Sequence, residues 1–270
     1  MTLNMQGLDI SILGPACVAG LIVLSTHVPL GKQVLGRGII FIDLAIAQIA
    51  GLGVILAQYF GIEEHGFGVQ LAAAAAALAG AGLLSWTDRR WPHYQEPLIG
   101  TLFVLAATGG LLLLADNPQG GEHLKDLLVG QILWVSYAQL IPAAILSSLL
   151  LVAMWLRRGR LTGLLFYAMF ALAITASVQL VGVYLVFASL IVPALATIGM
   201  RGRSQLATAY AIGTAGYVAG LALSAVLDLP SGAMIVWTLA GCGLLAQLVP
   251  AVRRSHRRQD VPVAALDGAG

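Results

Sequence analysis

Asp43, in the stretch FIDLAIAQIAGLG, is the one acidic residue inside a long apolar segment of this 270-residue chain. A carboxylate in hydrocarbon costs about 3 kcal/mol or more unless it is paired or solvated. Asp43 therefore marks either a point on a permeation pathway or an anchor that snorkels to a nearby interface. Gln48 lies deeper in the same segment, and Gln179 closes another. Amides in such places either bridge helices by hydrogen bonds or bind solute. The rest of the chemistry is sparse. The histidines (His27, His65, His93, His123, His256) fall at segment ends or in loops, and Cys17 and Cys242 lack metal-ligand spacing. There is no GxxxxGK[ST], HExxH or CxxC, and no Ser–His–Asp set is suggested. The chain cannot cradle ATP through a P-loop. An intramembrane enzyme would need ionisable groups clustered at mid-depth, and an enzyme reading is accordingly disfavoured. The chain binds no cofactor of its own on this reading.

The elements that must position these residues are membrane helices. The chain is 59% hydrophobic and 10% charged, against about 25% charged for a soluble domain. From Leu161 to Met200 there is no Asp, Glu, Lys, Arg or His. One crossing takes about 20 apolar residues, so this run reads as two crossings and a tight turn near Gln179–Gly182. Hydropathy predicts an all-α, polytopic helix bundle of about nine spans, with eight as the alternative count. They are Ile10–Pro29, Gly38–Phe60, Phe67–Trp86, Pro97–Ala115, Ile132–Leu156, Leu161–Gln179, Gly182–Met200, Leu206–Leu227 and Pro230–Val252. Every basic residue except Lys125 then falls on one side. The positive-inside rule makes that side cytoplasmic, with the N-terminus outside and the C-terminus inside. Residues 1–252 form a single membrane domain, and 253–270 a basic cytoplasmic tail that is disordered beyond Asp260. The first apolar segment lacks a positive flank and is retained as an anchor. In EHLKDLLVGQILWVS, helical spacing of Leu124, Leu127, Leu128 and Ile132 predicts a short amphipathic helix at the outer surface, a connector or a gate. Pro193, inside the seventh span, predicts a kink and a hinge. Ala72–Ala77 suits close helix packing.

Several stretches carry a resemblance. SVQLVGVYLVFASLIVPALAT (177–197) is similar to the signature run of the permease subunits of ABC importers for zinc, manganese and iron. LDLPSGAMIV (227–236) resembles that family's turn into its last span, and VGQILWVS (129–136) its entry to the fifth. VPLGKQVLGRGIIFIDLAIAQIAGLG (28–53) follows its opening pattern more loosely. Together they cover most of the chain in the right order. The resemblance implies a type II ABC-importer-like fold in the inner (plasma) membrane. A second permease copy or a related permease would complete the path. A cytoplasmic P-loop ATPase would use ATP, and an extracytoplasmic metal-binding protein would deliver a divalent metal ion. The partners thus include the lipid bilayer and no nucleic acid. The resemblance also implies that 197–205, containing Arg201, Gly202 and Arg203, meets the ATPase as a short cytoplasmic helix; these arginines also fix topology. The family's Ser-His-Ala histidine is replaced here by Ile46 or Gln48, and the loop around RRGR is short. The chain is thus a divergent member on this reading, with Asp43 and Gln48 as the metal-path candidates. The alternative is a self-sufficient secondary transporter or channel for small cations, with Asp43 as its ion site.

Overall fold

A computed structural model describes residues 10–62, 66–114, 128, 130, 132–157 and 161–248. Nine α-helices are found among them: α1 Ile10–Arg37, α2 Ile42–Tyr59, α3 Phe67–Arg90, α4 Gln95–Leu114, α5 Tyr137–Leu156, α6 Gly163–Val181, α7 Val183–Ala196, α8 Gly202–Leu227 and α9 Ser231–Leu248. No strand occurs among the described residues. Eight of the helices are long and apolar enough to cross a membrane, and α7 is shorter. The all-helical bundle is the expected fold. The tail from Arg253, the RRGR loop from Arg158 and most of the predicted outer amphipathic helix lie outside the described residues. The described end of that segment, Ile132–Trp134, is a turn of 3-10 helix.

The boundaries differ from hydropathy where a local interaction overrides it. The first helix runs through Pro29 to Arg37 instead of stopping at Pro29. Proline removes the N–H that would bond the carbonyl of Ser25. Here the Tyr210 hydroxyl of α8 donates to that carbonyl at 2.8 Å, so the helix continues without an orphaned acceptor. The second helix begins at Ile42, not Gly38, because Gly38 turns with φ +70°. Helix α3 continues to Arg90, and a 3-10 turn at Pro92–Tyr94 leads into α4. Most of the polar stretch from Thr87 to Glu96 is therefore helical.

The charge-free run departs most from expectation. It holds one full-length helix, α6, and the 14-residue α7. At about 1.5 Å per residue, α7 is about 21 Å long, short of a hydrocarbon core. Gly182 separates the two helices with φ +80°, a conformation that penalises any side chain. Thr197 ends α7, its hydroxyl donating to the Pro193 carbonyl at 2.8 Å. A short helix is tolerated because protein surrounds it: Leu185, Ser189 and Leu190 are fully buried. It packs against α1 and α9. Its contact with α1 depends on Gly31, where a Cβ would lie 2.0 Å from the Leu190 carbonyl oxygen. Ser189 and Tyr217 share a buried hydrogen bond of 2.8 Å that joins α7 to α8. On the other side of the bundle, α2 packs on α3 and its alanine run. Helix α8 ends at Asp228 in the left-handed conformation, a cap that Asp tolerates better than most residues, and Pro230 follows.

Candidate translocation site and the start of α8

Asp43 sits in the first turn of α2, where the helix dipole favours negative charge. It is 1% exposed, and among the described residues no side chain hydrogen-bonds to it; only the N–H groups of Asp43 and Leu44, in its own helix turn, approach its oxygens. The side chain does not snorkel out. Glu96, in the first turn of α4, is its charged neighbour. One Glu96 oxygen accepts the Phe41 N–H at 3.3 Å, and the other is buried without a partner among the described residues. Two carboxyl groups with unused lone pairs, brought together from α2 and α4, form a place that gains from a cation. Arg37 does not serve them as a counter-charge. Its guanidinium lies 3.9 Å over the Phe166 ring and donates to the Leu161 carbonyl.

A network of uncharged groups adjoins this pair. Gln95 accepts from the Thr87 hydroxyl at 2.9 Å and donates to the Leu84 carbonyl at 3.0 Å. Its amide also reaches the Tyr167 hydroxyl at 3.1 Å. Thus the end of α3 and the starts of α4 and α6 are pinned together, beside the end of α1 that carries Arg37. A cavity of about 310 Å³ opens here, lined by Arg37, Asp88, His93, Gln95, Glu96 and Tyr167, with others. Sequence reasoning passed over Glu96 and Gln95 as parts of a polar loop. The available signal was a Glu-Pro pair opening an apolar helix, since proline is favoured in a first turn and acidic residues complement its dipole.

The other predicted residues are dispersed. Gln48 is half-buried on α2, five positions after Asp43 and so on a different face. Gln179 is exposed on α6 and makes no side-chain hydrogen bond among the described residues. Pro193 is buried one turn before the end of α7. Arg201, Gly202 and Arg203 are all exposed. They form the N-cap and first turn of α8, not a separate short helix. His27 lies well inside α1, not at a span end, because the helix outlasts Pro29. It is fully buried, with Nδ1 2.8 Å from the Val23 carbonyl and Nε2 without a partner among the described residues. No group of three or more His, Cys, Asp or Glu residues suited to a metal ion occurs among the described residues.

The model of the ABC 3 transport family matches residues 9–166 and 160–249. The chain belongs to the ABC 3 transport family. Among the relatives of this ABC 3 protein is the manganese transport system membrane protein MntC of Halalkalibacterium halodurans. That relative is 28% identical, over 86% of this chain and 85% of its own. Another, a probable iron transport system membrane protein of Haemophilus influenzae, is 27% identical over 77% and 83% of the two chains. In fold, the ABC 3 chain is similar to a chain of PsaBC from Streptococcus pneumoniae, solved in complex with Fab. The TM-score is 0.72 at 19% identity, covering 92% of this chain and 95% of that one.

Proposed function

We propose that this chain is the membrane-spanning subunit of an ATP-driven importer for a divalent transition-metal ion. It pairs with a second copy or a related permease, couples to a separate cytoplasmic P-loop ATPase and receives its ion from an extracytoplasmic binding protein. The membrane is the inner (plasma) membrane, with the N-terminus outside and the C-terminus in the cytoplasm. The observation that carries the reading is the buried Asp43 beside Glu96 in a bundle of this family. A buried carboxyl group that no other side chain serves is by default a place for a cation that passes or docks.

The donor set bears on the cargo. Asp43 and Glu96 offer carboxylate oxygen, which suits hard divalent ions such as manganese better than a site built on imidazole or thiolate would. The relatives named for manganese and iron fall in the same range. At the cytoplasmic side, Arg201, Gly202 and Arg203 stand exposed at the start of α8, where a partner ATPase would meet them.

Metal uptake in a strain lacking the chain, complemented with wild type or Asp43→Asn and tested with a panel of divalent ions, tests the proposal. Asn keeps the volume and removes the charge. Uptake of one ion should return with wild type and fall at least tenfold with Asp43→Asn, at equal membrane abundance. Full uptake by Asp43→Asn removes Asp43 from the path. Ion flux by the purified chain alone in liposomes, without ATPase, favours the secondary-transporter reading instead.

A further inference from the structure

A second cavity, of about 290 Å³, has the opposite electrical character. Lys32, Leu35 and Gly36 of α1 line it, together with Ala194, Ile198 and Met200 from the end of α7 and Arg201, Gly202 and Gln205 from the start of α8. Among the described residues it is lined by two cations and no carboxylate. The first turn of α8 also lacks a side-chain cap. The nearest hydroxyl, that of Ser204 in the first turn, donates to the Arg201 carbonyl at 2.9 Å and caps no N–H. The leading N–H groups of this 26-residue helix therefore remain available, with the positive end of its dipole. Independently, Gln205 is 7% exposed, lines the cavity and has no side-chain hydrogen bond among the described residues. Its amide is not among the buried atoms left without a partner and so opens to the cavity, where a ligand can meet it.

We propose that this cavity binds a phosphate-bearing anion, and specifically the headgroup phosphate of an anionic phospholipid. Helix N-terminal N–H groups and flanking cations are suited to phosphate. Leu35, Ile198 and Met200 give the cavity an apolar wall that a free phosphate ion does not require. The cavity lies at the basic ends of spanning helices, where the cytoplasmic leaflet presents anionic headgroups. The proposal rests on the orientation given under the proposed function. Its readout is lipid retention by the isolated chain, which does not depend on transport.

The test is native mass spectrometry of the purified full chain with phosphatidylglycerol, phosphatidylcholine or inorganic phosphate added. Wild type should retain phosphatidylglycerol over phosphatidylcholine. Lys32→Glu should lower that retention at least fivefold, from the loss of a juxtamembrane cation, and Lys32→Arg should restore it. Gln205→Leu should lower it with Lys32 intact, provided thermal melting shows the variant folded. Equal retention of both lipids, or no change in Lys32→Glu, overturns the proposal. So does retention of phosphatidylglycerol that inorganic phosphate displaces at millimolar concentration, which identifies a free-anion site. Unchanged lipid preference with loss of ATPase co-purification in Lys32→Glu also overturns it, adding Lys32 to the ATPase contact proposed for Arg201–Arg203 and leaving no lipid site.

Discussion

Replacing Tyr210 by Phe deletes one hydroxyl and nothing else, and it strikes the point where α1 passes through Pro29. In wild type the Ser25 carbonyl has lost its helical donor to Pro29 and accepts from Tyr210 at 2.8 Å. With Tyr210→Phe that carbonyl is left unsatisfied within the bundle. Interhelical hydrogen bonds in membrane proteins average about 0.6 kcal/mol and reach about 1.7. This one should fall near the upper end, at about 1.5 kcal/mol, because its acceptor has no backbone alternative. Pro29→Ala supplies that alternative by restoring the N–H at position 29. In a Pro29→Ala background, Tyr210→Phe should cost only about 0.5 kcal/mol, giving a coupling of about 1 kcal/mol between residues that are distant in sequence. The cycle is measured by reversible unfolding in mixed micelles, with all four proteins at one detergent composition. If Tyr210→Phe costs the same in the Pro29→Ala background as in wild type, the Ser25 carbonyl does not depend on Tyr210. The explanation for helix continuation is then wrong.

Two further outcomes test the packing and the loop. Gly31→Ala would set a Cβ 2.0 Å from the Leu190 carbonyl oxygen, so α1 and α7 must separate. A destabilisation of about 2–3 kcal/mol is expected in the same unfolding assay, and a change below about 0.5 would show that the two helices are not in close contact. Arg201→Glu with Arg203→Glu reverses exposed charge at the start of α8. ATP-dependent uptake and co-purification of the ATPase should both fall several-fold while the melting temperature holds; retention of both would confine these arginines to setting topology.

The nine apolar segments were legible because hydrophobic length and charge bias are local properties of sequence. What was not legible depended on residues far apart in the chain. Pro29 looked like a terminator until Tyr210 supplied the missing donor from α8. His27 consequently looked like a residue at a span end, although it is buried inside α1. The Gly182–Met200 segment read as a full crossing because its composition is apolar. Composition does not distinguish a helix facing lipid from one enclosed by protein, and α7 is of the second kind. At the candidate site, Asp43 stood out as a charge in an apolar run. Glu96 did not, because its proximity to Asp43 arises only when α2 and α4 begin side by side.

These observations meet in the last two turns of α1. Beyond Pro29, that helix supplies Lys32, Leu35 and Gly36 to the basic cavity and Arg37 to the one that holds Asp88 and Glu96. A helix ending at Pro29 would leave both cavities without one wall. One wall faces carboxyl groups beside Asp43, and the other faces the start of α8, where Arg201 and Arg203 lie. The Tyr210 hydroxyl extends α1 to that point and is itself carried by α8. A tilt of α8 would therefore act on the α1 end through both the Ser25 bond and the basic cavity. The mouth beside Asp43 shares that helix end through Arg37. This is a short mechanical route from the first turn of α8 to the candidate ion site. It predicts that Tyr210→Phe weakens coupling of ATP hydrolysis to uptake more than it weakens ATPase binding. Equal loss of both would indicate general unfolding, and the route would then have no role.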